Sequence, residues 1–213
     1  LQDVSKFQPY AASTSNEARV TATLGEGASP GRFAINTTAL ASNHKLSSGA
    51  YASDAAVGTG TLNFTVGGES FSVVIDATNN TLEGIRDAIN TASGNSKVTA
   101  AVINSTTGAR LLLSATDSGA ANAITVAITG DGDGSDTNAS GLSALSYTAG
   151  ALRLTQRSAA QDAALTIDGI AVSSPSNNVS TAIDGVTFNL LATGTATITI
   201  SRDNSANRWN RLG

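Results

Sequence analysis

His44 is the single histidine of the chain, and it is the first residue to weigh as a chemical group. A histidine pair for a metal is thereby excluded. A Ser/His/Asp relay needs a reactive serine within reach of that ring, and no Gly-x-Ser-x-Gly turn is present to expose one. The neighbours of His44 are polar, with Lys45 beside it, so the expectation is a solvated loop histidine. Asp131-Gly132-Asp133-Gly134-Ser135-Asp136 has the look of a calcium loop. An EF-hand needs Gly at its sixth position and Glu at its twelfth, where this chain has Asp136 and Leu142. A flexible acidic turn is the expected reading. Gly58-Thr59-Gly60 starts like a dinucleotide fingerprint but has Asn63 where the third Gly belongs. The remaining carboxylates are spread over turns, with no pair of the kind glycoside hydrolysis uses. Asn36-Thr37-Thr38 and Asn63-Phe64-Thr65 fit the glycosylation sequon, as chance supplies in so Asn- and Thr-rich a chain. The expectation is no catalytic residue, no cofactor-binding residue, no cofactor and no metal ligand, hence not an enzyme. A β-rich hydrolase is the least supported alternative.

Composition points the same way. The 213 residues are 40% hydrophobic but only 4% aromatic and 13% charged, with a net charge of −4. Val, Ile and Leu recur in short runs, so this is a folding composition. The 21 glycines supply turns for many short strands. No cysteine is present, which excludes a disulfide framework and a thiolate metal site. Arg19, Arg32, Lys45, Arg86, Lys97, Arg110, Arg153 and Arg157 are scattered. Phosphate-backbone binding needs clustered cations, so nucleic acid is not an expected partner. No apolar run approaches ~18 residues, and no membrane partner is expected. There is no methionine, so the chain is expected to be a piece of a longer protein, and no signal peptide is visible.

The elements follow from periodicity. Leu1, Val4 and Phe7 could end a helix that Pro9 stops. Residues 19–24 and 32–37 alternate with period two and read as a hairpin around a Gly- and Pro-containing loop. A polar connector is expected from Ser42 to Gly60. Thr61–Val66 and Phe71–Ile75 flank Gly67-Gly68 as a second hairpin. Asn80, with Glu83 three residues on, predicts a capped helix over about 81–92. Leu82, Ile85 and Ile89 share one helical face, and Gly94 can stop it. Strands are predicted at 98–103, 109–114 and 123–128, completing one α+β unit on a mostly antiparallel sheet. A polar loop covers 130–140. Leu142, Leu145 and Tyr147 form a weak apolar patch, and 151–154 a short strand. Ala164–Val172 is a hairpin around Asp168-Gly169. Ser176-Asn177-Asn178 is read as capping a short turn with Val179 and Ile183, and strands at 186–190 and 196–200 close the sheet. Trp209 lies outside the strand pattern.

Thr81-Leu82-Glu83-Gly84-Ile85-Arg86-Asp87-Ala88-Ile89-Asn90, then Val98-Thr99-Ala100 and Arg110-Leu111-Leu112-Leu113-Ser114, resembles the flagellin hook repeat motif. The flanks Thr14–Ala22, Leu165-Thr166-Ile167-Asp168-Gly169 and Ile183-Asp184-Gly185-Val186-Thr187-Phe188-Asn189-Leu190 resemble bacterial flagellar filament cap proteins. The resemblance runs from about Thr14 to Asp203, without the long terminal helices of that family. It implies a secreted, extracellular protein at the flagellum tip. There, a homo-oligomeric ring holds flagellin and guides its assembly. It further implies two β-rich plate domains and no catalytic residues. Host surface ligands such as mucin are a partner class it also admits. A surface adhesin or immunoglobulin-like module is the second reading, which a helix at 81–92 counts against. Another hook-associated protein or a flagellin also carries the motif.

The expected fold class is mainly β with α+β elements, in two domains of antiparallel sheets with at most one short helix each. The expected domains are 12–59 with 156–205, discontinuous, and 60–155 inserted between them.

Overall fold

The computed structural model describes residues 10–203. The segment 1–7 with its suggested helical end, and Trp209, lie outside the described residues. In chain order the strands begin with β1 (Tyr10–Thr14), β2 (Val20–Leu24), β3 (Gly31–Ala39) and β4 (Asn43–Ser47). They continue with β5 (Gly60–Val66) and β6 (Glu69–Ile75), then helix α1 (Leu82–Thr91). After it come β7 (Val98–Ser105), β8 (Gly108–Ser118), β9 (Thr125–Thr129), β10 (Tyr147–Thr148), β11 (Ala151–Leu152) and β12 (Thr155–Ser158). The last are β13 (Ala163–Ile167), β14 (Ile170–Ser174), β15 (Asn178–Ile183), β16 (Val186–Leu190) and β17 (Gly194–Arg202). The mainly-β class is borne out, with one α-helix among the described residues, and α1 counts against an immunoglobulin-like sandwich.

The chain divides into two compact units, one of residues 10–41 with 162–203 and one of Ser42–Gln161. The boundaries expected at 59/60 and 155/156 therefore shift to 41/42 and 161/162. The reason is pairing: β4 bonds to β8, and β12 bonds to β4. The stretch expected to be a polar connector thus carries a strand with Leu46 fully buried.

In the outer unit, a five-stranded sheet runs β1-β17-β3-β13-β14 and a three-stranded sheet runs β15-β16-β2. Both enclose one core that includes Val20, Ile35, Leu165, Phe188 and Ile198. β13 and β14 form the predicted hairpin, with Asp168 and Gly169 at positive φ in its turn. A left-handed turn residue is tolerated by Asp and Gly. β2 and β3 are not a hairpin. β2 pairs with β16, while β3 pairs with β17 and β13. Likewise β16 and β17 belong to different sheets, and the expected short turn at 176–183 is strand β15. Period-two alternation shows that a strand has one buried face; it does not name its partner.

In the inserted unit, a five-stranded sheet runs β11-β10-β9-β5-β6 and a four-stranded sheet runs β12-β4-β8-β7. The expected single sheet is thus two, with β9 on one and β7 and β8 on the other. β5 and β6 form the predicted hairpin, and its cross-strand pair Phe64 and Phe71 stacks at 4.7 Å. α1 buries Leu82, Ile85 and Ile89, worth about 1.5–3 kcal/mol each, which offsets the marginal stability of so short a helix. Its N-cap is Thr81 and not Asn80: the Thr81 hydroxyl accepts from the Gly84 amide at 3.2 Å. Leu142 and Leu145, expected as a weak patch, are fully buried in a 3-10 turn.

Candidate functional site

His44, expected in solvent, is a buried residue of β4. Its Nδ1 accepts from the Ile124 amide at 2.8 Å. Its Nε2 lies 3.3 Å from Gln156 Oε1, which also accepts from the Tyr147 hydroxyl at 2.9 Å. An amide pointing at Nδ1 requires that nitrogen to be unprotonated, so Nε2 carries the proton and donates to Gln156. Both ring nitrogens are thus engaged in joining β4, the start of β9 and β12. The residue is a buried tie between strands, with no lone pair free for a metal or a proton transfer. A signal for this was present in the sequence. Asn43-His44-Lys45-Leu46 alternates, placing His44 on the same face as Leu46.

The acidic segment is a turn, as expected, but one tied down by hydrogen bonds. Asp131 is buried, and its Oδ2 accepts from the Ser143 amide at 2.7 Å. Its own amide donates to Asp136 at 2.8 Å. Asp133 accepts from the Ser135 amide, the Asn138 side chain and the Ser140 hydroxyl. Those bonds, the Asn138 one first, hold its carboxyl below the usual range. The carboxylates face amides and hydroxyls of their own loop, which fixes its course. Among the described residues no group of three or more His, Cys, Asp or Glu is placed to hold a metal ion.

The motif residues quoted above have a visible task. β7 is an edge strand, and its outward amides and carbonyls need partners. Asn90, at the end of α1, takes both groups of Ala100: it donates to the carbonyl at 2.9 Å and accepts from the amide at 2.8 Å. Asn95 does the same for Val98, at 2.9 and 3.0 Å, and also donates to the Ile89 carbonyl at 2.8 Å. Two asparagines thus stand in for a missing neighbouring strand and pin the helix to the sheet. Gly84 lets α1 settle on the preceding turn, since a Cβ there would come within 2.5 Å of the Asn79 carbonyl oxygen.

The surface over β6, β5 and β9 is a hydroxyl and amide ladder. Ser72 donates to Asn63, Asn63 donates to the Thr129 hydroxyl, and the hydroxyls of Thr65 and Ser70 are 3.0 Å apart. Asn63 of one sequon is therefore engaged on a strand. Val74, Leu152 and Ile170 are large apolar side chains left mostly exposed.

Comparison with known proteins agrees with these features. The family described as flagellar hook-associated protein 2 C-terminus matches residues 160–209. The B-type flagellar hook-associated protein 2 of Pseudomonas aeruginosa is 36% identical over 96% of this chain and 45% of its own length. The flagellar hook-associated protein 2 of Escherichia coli is 34% identical over 78% of this chain and 36% of its length. The chain thus spans less than half of the curated relatives it matches. Among solved structures, the D2-D3 domains of the Escherichia coli flagellar cap protein FliD superpose with a TM-score of 0.80 at 31% identity, covering 92% of this chain and 100% of that one. The Pseudomonas aeruginosa protein superposes with a TM-score of 0.76 at 33% identity, over 92% and 90%. Matched nearly end to end by these domains in sequence and in fold, the chain belongs to the flagellar hook-associated protein 2 family of flagellar cap proteins.

Proposed function

We propose that this chain is the β-rich head of a flagellar filament cap, a scaffold that promotes flagellin assembly at the filament tip outside the cell. The observation that carries this reading is its match to the whole of the Escherichia coli D2-D3 segment. The site chemistry fits a non-enzymatic role, because His44, Asp131 and Asp133 are each engaged in holding backbone or neighbouring side chains. The partners proposed are flagellin and further copies of the full-length protein. Mucin-type host ligands are a further proposed class, tested by retention of the chain on immobilised mucin.

The scaffold reading is tested by a chimaera. This chain replaces the corresponding segment of the Pseudomonas aeruginosa B-type protein in a cap-deficient strain. Filaments and retained flagellin are expected. A chimaera that is exported normally while flagellin continues to escape into the medium sinks the reading.

A further inference from the structure

A concavity of about 370 Å³ lies in the inserted unit, lined by Gly49, Ala50, Tyr51, Ala139, Ala144 and Arg153. Its size falls in the range that holds small ligands. The residues of its lining with polar side chains are Tyr51, whose hydroxyl can donate or accept, and Arg153, which only donates. The Arg153 guanidinium donates one bond to the Thr137 carbonyl at 3.0 Å, and no carboxylate among the described residues pairs with it. Burial pushes the Tyr51 phenol up in pKa, so it remains a neutral hydroxyl. Methyl groups and backbone complete the wall, and no acidic residue is among the lining.

The wall is also fixed before any ligand arrives. The Tyr51 main chain exchanges two bonds of 2.9 Å with Ala109. Ala144 sits in the 3-10 turn that Asp131 anchors through the Ser143 amide. Ala139 lies between Asn138 and Ser140, both of which donate to Asp133. The acidic loop therefore shapes the cavity while its carboxylates are occupied with their own loop. A second concavity, about 220 Å³ in the outer unit, is lined by uncharged residues such as Ser15, Asn36 and Thr166 and has no cation in its lining.

We propose that the Tyr51–Arg153 concavity is a binding site for a small carboxylate, with the guanidinium pairing the carboxylate and the Tyr51 ring supporting the body of the ligand. A planar guanidinium with free donors suits a carboxylate in two-point contact. Two bodies carry this chemistry, a sugar acid and an acylated amino acid.

The test titrates the 213-residue chain with N-acetylneuraminate, glucuronate and N-acetylglycine, following backbone amide resonances by NMR. N-acetylglucosamine and N-acetylglycinamide serve as neutral counterparts. Saturable shifts at Tyr51, Ala139 and Ala144 are expected with a carboxylate and not with its neutral counterpart. The series that saturates identifies the body. Arg153→Gln is expected to weaken binding by about tenfold or more, and Tyr51→Phe by less. Arg32→Gln, in the outer unit, leaves it unchanged. Ala144→Leu, which fills the cavity and keeps the guanidinium, is expected to abolish the shifts. The site is overturned if no carboxylate gives saturable shifts. Equal affinity in Arg153→Gln or Ala144→Leu, or neutral analogues binding as well, overturns it too.

Discussion

The two units reach the same antiparallel architecture with different interiors. Among the described residues of the outer unit the buried polar ones are Thr37 and Ser174, beside a core of Val, Ile, Leu, Ala and the fully buried Phe188. The inserted unit buries His44, Ser47, Ser48, Asp131, Ser143 and Ser146. It also covers the edge of β7 with asparagine side chains. Polar ties serve both units, Asn177 taking the amide and carbonyl of Ala41 in the outer one, but the inserted unit sets more of its polar groups inside the core. The difference teaches where each is fragile. A lost methyl group leaves a cavity, whereas a lost polar partner leaves a desolvated donor or acceptor.

The largest expected effect lies in the outer core. Phe188→Ala is expected to cost about 3–5 kcal/mol and to shift only the urea transition reported by outer-unit amides, the inserted unit unfolding as before. Asp131→Ala comes next. Removing the buried acceptor of the Ser143 amide is expected to cost about 1–3 kcal/mol, read by hydrogen exchange at Ser143 in the inserted unit. Equal loss in both units would mean that they do not unfold independently. Gly84→Ala sharpens the point about α1. In an open helix this change gains about 1 kcal/mol. Here the Asn79 carbonyl oxygen stands in the way, and crowding of this kind costs about 1–3 kcal/mol, so a net loss of thermal stability is expected.

Smaller effects test the polar ledger from the other side. The Thr37 hydroxyl is buried without a partner among the described residues. Thr37→Val is expected to be neutral or to stabilise by up to about 1 kcal/mol, measured by denaturant midpoint. The smallest effect is an acid one. Asp76 and Asp133 sit below their ordinary pKa, held by Thr78 and Asn138 respectively. Depressed carboxyls stabilise the fold above the unfolded value, about 3.9. That contribution is lost as pH falls through the lower folded values. Both groups are exposed, so Asp133→Asn should only slightly flatten the low-pH limb of stability against pH, a prediction checked by denaturation at successive pH values.

Local signals carried much of the fold. The β5–β6 and β13–β14 hairpins were legible because their strands are adjacent and their turns contain Gly67-Gly68 and Asp168-Gly169. Helix α1 was legible because Leu82, Ile85 and Ile89 repeat at helical spacing. His44 was misread because its sequence neighbours are polar, and its buried environment is built by Ile124 and Gln156, far along the chain. The acidic segment was legible as a turn, but not its anchoring, because Ser143 lies twelve residues away.

Whereas β4 and β15 were not, most of the longer strands, helix α1, the two tight hairpins and the cap-protein resemblance were already written in the sequence. Those follow from periodicity, turn chemistry and motif, all of which act within a few residues. Only the tertiary structure decided that β2 and β3 part to different sheets. It likewise moved the unit boundaries outward to 41/42 and 161/162, placed His44 inside and brought Tyr51 to Arg153 around one cavity. Strand alternation fixes which face is buried but is indifferent to partner. Burial of a polar side chain depends on groups that only the folded chain brings near.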